Sequence, residues 1–233
     1  RFRREARSVQ KLAHPNIVEV QDQGVTEDGT SYIVMEYLDG ASLAAIIAQG
    51  HIPLARGLGM MIQLARGIAR AHDLDVVHRD LKPENVFVTH REDGSDLVKV
   101  LDFGIARSLH DPRLTEQGEL FGTPQYMAPE RIANADSGPP TDLYALGVIF
   151  YELVVGELPF DATDVTAFFV KHLKDPPPDP RKKNPAVPDA LAELVLQLMA
   201  KDPKARPVDD HRVLNDLIDI ARAAHAPIPP DPN

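Results

Sequence analysis

The chain has 233 residues, 43% of them hydrophobic and 26% charged, which argues against wholesale disorder and allows one large globular domain or two small ones. The formal net charge of −10 at pH 7 argues against a nucleic-acid-binding protein, which would more often be basic. The absence of cysteine excludes disulfides, thiolate metal sites and cysteine nucleophiles.

The first fifty residues predict a helix, two strands and a second helix. Residues 1–12 repeat apolar side chains every three or four positions, which is a helical spacing. The runs 17–25 and 30–38 are strand-like, and the polar turn TEDG separates them. Ser42 is expected to cap a short helix over 41–49.

The rest of the chain predicts mostly helix around one hairpin. A long helix over 54–74 carries its apolar side chains on one face. The apolar runs 86–88 and 97–103 predict a hairpin, whereas 104–127 shows no period and predicts an extended loop. Further helices, with a proline-dense connector between the first two, are expected over residues 141–156, 190–200 and 211–224. This order favours an α+β fold, with a small sheet-containing part up to about residue 38.

Charged and amide side chains are concentrated beside this hairpin, in HRDLKPEN at 78–85 and in the DFG sequence after the second strand. Phosphoryl transfer needs oxygen ligands for a metal ion, a carboxylate that orients the attacking hydroxyl, and a cation that offsets phosphate charge. Asn85 and Asp102 could supply the metal ligands, because Mg²⁺ prefers hard oxygen donors. Asp80 could orient the hydroxyl, and Lys82 could contact the phosphate.

Each of these residues alone has a simpler interpretation as a turn or cap residue. The joint pattern is more specific, because H-R-D-L-x-x-x-N, D-F-G and A-P-E occur in order at suitable intervals. With these three motifs the chain resembles a protein kinase of the bacterial serine/threonine, eukaryotic-like group. The resemblance covers essentially the whole chain.

The resemblance implies an α+β, two-lobe protein kinase-like fold with a mostly helical C-lobe. Residues 1–38 would form a partial N-lobe, which lacks the first three strands of that lobe, and 39–225 would form the C-lobe. Residues 226–233 would begin a linker. The implied activity is transfer of the ATP γ-phosphate to serine or threonine hydroxyls of proteins, with Mg²⁺ or Mn²⁺ as cofactor.

Position by position, the resemblance makes Asp80 the catalytic base and Lys82 the γ-phosphate contact. Asn85 and Asp102 match the two metal ligands. Further positions match the nucleotide site of the family. Glu5 matches the glutamate of the N-lobe helix, and Met35 matches the gatekeeper. Glu36 to Leu38 match the hinge, and Phe87 matches the side chain that packs beneath adenine.

Three positions are expected to be regulatory. Arg79 matches the arginine that pairs with a phosphorylated activation loop, and Thr115 is the preferred phosphorylation site within that loop. An unmodified, exposed threonine is the alternative for Thr115. Thr123 matches the position next to the substrate residue and favours serine or threonine substrates.

Five positions match structural roles in the family. Glu130 and Arg206 would form a buried ion pair, and Asp142 would brace the backbone of the HRD loop. His78 and Phe103 fit a stacked column that joins the lobes. A packing role is preferred over general-base catalysis for His78, because Asp80 already occupies the position of the base.

The sequence departs from the family in one respect. No Gly-rich loop and no V-A-I-K lysine precede Glu5, and the chain starts at Arg1 rather than methionine. We therefore expect a fragment of an ordinary active kinase, with weak or no activity by itself. A degenerate kinase acting as a scaffold is the first alternative. A small-molecule phosphotransferase related to antibiotic and choline kinases is the second.

The expected partners are proteins that present serine or threonine, and a kinase homodimer is a further option. No nucleic acid is expected as a partner. No apolar run reaches about 18 residues, so no membrane contact is expected within this segment. A cytoplasmic location follows, and anchoring of the full protein through a part beyond residue 233 stays open.

Overall fold

The computed structural model describes residues 12–103, 123–133, 135 and 138–231. The predicted helix over 1–12, with Glu5, lies outside the described residues except for its last residue. Most of the loop predicted over 104–127, with Thr115, also lies outside them.

The described part contains five strands and seven helices, in the α+β arrangement predicted from the sequence. The strands are β1 Val20–Val25, β2 Ser31–Met35, β3 Gly40–Ser42, β4 Val86–His90 and β5 Asp96–Val100. The helices are α1 Leu43–Ala48, α2 Leu54–His72, α3 Pro129–Ile132, α4 Pro139–Val155, α5 Val165–Lys174, α6 Asp189–Leu198 and α7 Asp210–Ala223. No helix within the described ranges is long and apolar enough to cross a bilayer.

Strands β1 and β2 form an antiparallel pair, as predicted. The prediction that the first strand starts at residue 17 is wrong for its first three residues. Ile17 instead forms an isolated parallel bridge with Val100, and the Val18 amide donates to the Val100 carbonyl at 3.0 Å. Ile17 and Val18 are therefore tied to β5, and the pairing with β2 begins at Val20.

Strands β3, β4 and β5 form a second antiparallel sheet, and its β4–β5 hairpin confirms the sequence prediction. Val86 and Val88 alternate with the half-buried Phe87, which places the two valines in the core. Val98 and Val100 on β5 are completely buried. The two strands therefore share one buried face, which fixes their register, because a one-residue slip would expose these side chains.

Helix α2 confirms the long helix predicted over 54–74, and its burial extends beyond the apolar face that the sequence indicates. Its side chains contact α7, β5 and α4, so most of its circumference is covered. Leu58, Met61 and Ile62 are completely buried. Each such burial stabilises the fold by about 1.5–3 kcal/mol relative to exposure. The helix lies at the centre of the core.

Helix α4 is apolar almost all round, and its residues from Thr141 to Tyr151 are buried. A helix with this composition has to be buried on every side. It ends at Gly156, whose φ of +84° is the left-handed conformation that favours glycine after a helix. Helix α5, capped by the Asp164 carboxylate, was not predicted, and the connector at 175–188 contains one 3₁₀ turn at Pro180–Lys182.

Candidate active site

The two expected metal ligands, Asn85 and Asp102, lie on the two chain segments at the open end of the β4–β5 hairpin. Asn85 immediately precedes β4 and Leu101 immediately follows β5, and the Leu101 amide donates to the Asn85 carbonyl at 2.8 Å. Asp102 is the next residue and is exposed. The antiparallel pairing of Val86 with Val100 therefore sets Asn85 beside Leu101, one residue from Asp102, although they are distant in sequence.

The amide side chain of Asn85 also reaches the HRD loop. Its Nδ2 donates to the Asp80 carbonyl at 2.8 Å, and no described residue donates a hydrogen bond to its Oδ1. One side of this amide thus fixes the loop that carries Asp80, and its oxygen is left for another donor or a cation. An amide oxygen is a suitable ligand for Mg²⁺.

The backbone of Asp102 lies in the left-handed region, with φ of +56°. Arg79 is also left-handed, with φ of +67°. Left-handed backbone is uncommon outside glycine, and each such residue costs about 1–2 kcal/mol. Strained residues of this kind concentrate at functional sites, so these two observations support a site at this position.

Three side chains meet in front of the hairpin end. The Lys82 ammonium lies 3.2 Å from Asp80 Oδ2 and donates to Thr123 Oγ at 3.1 Å. The Asp80 side chain is 44% exposed, whereas that of Lys82 is 20% exposed. A solvent-accessible carboxylate, an ammonium and a hydroxyl therefore converge, although sequence proximity predicts only the first two together.

A buried carboxylate holds the HRD loop from below. The Oδ2 atom of Asp142 accepts a hydrogen bond from the His78 amide at 2.7 Å, and Oδ1 accepts one from the Arg79 amide at 2.8 Å. Hydrogen bonds to an ionised acceptor are stronger than neutral ones. The Arg131 guanidinium adds a hydrogen bond to the Arg79 carbonyl. These contacts hold Arg79 in its left-handed conformation.

His72, which the sequence motifs do not include, completes this brace. Its Nε2 lies 2.9 Å from Asp142 Oδ2, and its Nδ1 lies 2.6 Å from Asp210 Oδ2. Burial lowers the pKa of His72, but hydrogen bonds to Asp142 and Asp210 outweigh it and raise the pKa to about 9. An imidazolium ion at neutral pH therefore offsets one of the two negative charges of the carboxylates. No local pattern could reveal the cluster, since its members lie on three helices or their ends.

His78 is completely buried, and both of its ring nitrogens are used. Nδ1 accepts from the Asp80 amide at 3.3 Å, so Nε2 must carry the proton that it donates to the Leu101 carbonyl at 2.8 Å. The ring centroid lies 4.9 Å from that of Phe103. Because a ring with these contacts has no free lone pair for a substrate proton, the geometry supports the packing role.

Glu130 and Arg206 form a two-pronged ion pair. Nη1 and Nη2 of Arg206 lie 2.7 and 2.9 Å from the two carboxylate oxygens of Glu130. The Arg206 side chain is completely buried, and it also donates to the carbonyl of Pro140 at 2.7 Å. Burial raises the pKa of Glu130, but the Arg206 hydrogen bond outweighs it, and the net pKa is lowered. The pair ties α3 to the start of α4.

The residues expected at the nucleotide lie on β2, on the segment that leads from β2 to β3, and on β4. Met35 ends β2 and is exposed, and Leu38 lies between the two sheets. Phe87 is half-buried at the second position of β4, opposite Ser42. The Glu36 carboxylate lies 2.5 Å from Lys99 Nζ and so joins the β1–β2 pair to β5. Their contact with a nucleotide stays a prediction.

Comparison with known proteins agrees with these motifs. The protein kinase domain family matches residues 1–216. The serine/threonine-protein kinase pkn3 of Myxococcus xanthus is 42% identical over 215 residues, which are 89% of this chain and 39% of that protein. The serine/threonine-protein kinase PrkC of Bacillus subtilis is 39% identical over 87% of this chain and 31% of its own length. The serine/threonine-protein kinase Pkn1 of Myxococcus xanthus is 43% identical over 88% of this chain and 30% of its own length.

The chain therefore spans roughly a third of the length of these relatives. A family match over most of the chain, and an α+β architecture of the expected kind, lead to the same result. The chain belongs to the protein kinase family.

Proposed function

We propose that this chain is the catalytic part of a serine/threonine protein kinase, which transfers the γ-phosphate of ATP to a serine or threonine hydroxyl of a protein. The observation that carries the proposal is the convergence of Asp80, Lys82 and Thr123 in front of the end of the hairpin. The names of the relatives, all serine/threonine-protein kinases, support the same reaction.

In the proposed step, the carboxylate of Asp80 accepts the proton of the substrate hydroxyl. The hydroxyl oxygen forms a bond to the γ-phosphorus as the bond to the β-phosphate oxygen breaks, so ADP leaves. Lys82, within 3.2 Å of Asp80, would offset negative charge on the transferred group. Positioning and electrostatic stabilisation of this kind account for most of the catalysis in phosphoryl transfer.

Asn85 and Asp102 would hold Mg²⁺ or Mn²⁺. Their oxygens fit such an ion because both are hard ligands, because the Oδ1 of Asn85 accepts no hydrogen bond from the described residues, and because Asp102 is exposed. One amide and one carboxylate would leave the remaining positions to water and phosphate oxygens. When bound, such an ion would offset the negative charge of the phosphate groups.

The remaining site residues complete the proposal. The backbone of Glu36 to Leu38 would bind adenine, Met35 would border it, and Phe87 would pack against its ring. Thr123 would lie against the substrate residue, and Arg79, which is exposed, would pair with phosphorylated Thr115. Glu5 would position the nucleotide through a lysine, which this sequence does not contain at the family's position. The partners would be proteins with accessible serine or threonine.

The test is a kinase assay with the full chain that carries this sequence. It measures the transfer of labelled phosphate from ATP to a generic basic protein. Asp80→Asn should lower the rate constant by about 10²–10⁴-fold, the usual contribution of a general base. Asp219→Asn, the same chemical change at an exposed position on α7, should leave it unchanged. Equal rates for the two variants would contradict the role of Asp80. ATP binding without transfer by the unmodified protein would favour the scaffold alternative.

A further inference from the structure

The segment that follows α7 turns back on the domain. After the helix, His225 adopts a left-handed backbone with φ of +51°, and the Ala226 amide donates to the Ala221 carbonyl at 2.9 Å. This is a helix-ending turn that reverses the direction of the chain. Ala226 is buried, so the segment 226–231 starts against the protein.

A buried arginine of α2 receives this segment. Arg66 is 7% exposed, and its Nη1 donates to the carbonyls of Pro229 and Pro230 at 3.0 and 2.8 Å. Its Nε lies 3.8 Å from Asp231 Oδ1. A Cβ atom placed on Gly59 would lie 3.8 Å from Pro229 Cγ. The segment therefore contacts α2 both at Gly59 and at Arg66.

The chemistry of the two surfaces is complementary. A buried guanidinium is costly unless its donors are paired. Consecutive prolines favour the polyproline conformation, which forms no internal hydrogen bonds and so leaves its carbonyls available. Proline also has no amide proton that would need a partner against the helix. Nε of Arg66 forms no hydrogen bond within the described residues, which leaves it for the Asp231 carboxylate.

We propose that Arg66 is the anchor of a docking site on α2 for the chain's own Pro-Pro-Asp segment, which binds in cis as a strap. Residues 226–231 then belong to the folded unit, rather than forming the first part of the linker that the sequence predicts. The strap also fixes the point at which the backbone leaves the helical lobe. The proposal is independent of the phosphotransfer chemistry.

The test uses cysteine pairs in the full chain, after replacement by serine of any cysteine outside this cysteine-free sequence. Gly59→Cys with Pro229→Cys should form an intramolecular disulfide under mild oxidation, detected by mass spectrometry of the digested protein. Gly57→Cys with Pro229→Cys is the matched control, because a Cβ on Gly57 would contact Ile52 Cγ2 at 3.9 Å and not the strap. The control pair should cross-link much more slowly.

Arg66→Met in the Gly59–Pro229 pair should slow cross-linking about tenfold or more, as expected for loss of hydrogen bonds to a charged donor. Arg70→Met removes the same charge one turn later, where no described hydrogen bond reaches the strap, and should have little effect. If Arg66→Met does not fold, Pro230→Gly combined with Asp231→Asn weakens the strap and leaves α2 intact.

Three results would overturn the proposal. The first is equal cross-linking of the Gly59 and Gly57 pairs. The second is an unchanged rate when the strap or Arg66 is altered. The third is a disulfide-linked dimer in place of the intramolecular product, because the segment would then occupy the site of a second copy.

Discussion

The cluster of His72, Asp142 and Asp210 makes stability depend on pH in a direction that the structure fixes. The unperturbed histidine pKa is 6.5, and the two carboxylates raise that of His72 to about 9 against the effect of burial. Each tenfold change in proton affinity corresponds to about 1.4 kcal/mol. The imidazolium therefore contributes about 3 kcal/mol to the free energy of unfolding.

The sign follows from the raised pKa. The contribution is fully present below the unfolded-state pKa of 6.5 and is lost as pH rises through about 9. His72→Gln removes the positive charge, so the carboxylates of Asp142 and Asp210 lose the cation between them. The variant should be less stable than the unmodified protein by about 3 kcal/mol near pH 6, and the difference should approach zero near pH 10.

Urea unfolding, followed by far-UV circular dichroism at several pH values, measures the difference in stability between the variant and the unmodified protein. The titration of groups that both proteins share cancels in this difference. His211→Gln is the matched control, because His211 pairs with Asp73 at an exposed position. Surface pairs contribute less than about 1 kcal/mol, so this variant should show little change. A destabilisation by His72→Gln that stays the same from pH 6 to pH 10 would refute the reasoning.

Further substitutions test packing, the buried ion pair and the metal site. Glu130→Gln should destabilise the protein by about 3–5 kcal/mol in urea unfolding, because Arg206 keeps a buried charge without its partner. Gly147→Ala should lower the free energy of unfolding by about 1–3 kcal/mol, because its Cβ would lie 2.7 Å from Leu198 Cβ. Gly59→Ala, whose Cβ would have more space, should raise the free energy of unfolding by up to about 1 kcal/mol. Asp102→Asn should lower the phosphotransfer rate about 100-fold or more and raise the Mg²⁺ concentration required, and an unchanged metal dependence would contradict its assignment.

Local sequence was sufficient for the elements with strong periodicity or clear ends. The hairpin at 86–100 has alternating valines around a polar turn, and α1 has Ser42 as a cap, whose hydroxyl accepts from the Ala45 amide at 3.2 Å. Helix α4 is apolar on all sides, so its burial follows from composition. By contrast, α5 mixes exposed apolar and buried polar residues, and it was not predicted from the sequence.

In the candidate active site, too, some residues could be predicted from the sequence and others could not. The order of the HRD, DFG and APE motifs is sufficient to indicate the family, and the roles of Asp80, Lys82, Asn85 and Asp102 are predictions from that resemblance. Glu5 and Thr115 lie outside the described residues, and their roles stay predictions. Contact of the expected nucleotide residues with ATP likewise stays a prediction.

Tertiary structure alone decided which distant groups meet. His72 becomes a charged brace only because α2, α4 and the start of α7 pack together, which places two carboxylates around one ring. Arg66 looks like an ordinary helical arginine until the segment after α7 folds back onto it. A sequence motif records side chains that are close along the chain or belong to a known pattern. The partner of a buried charge depends on how whole helices cross, and that is set by the packing of the core.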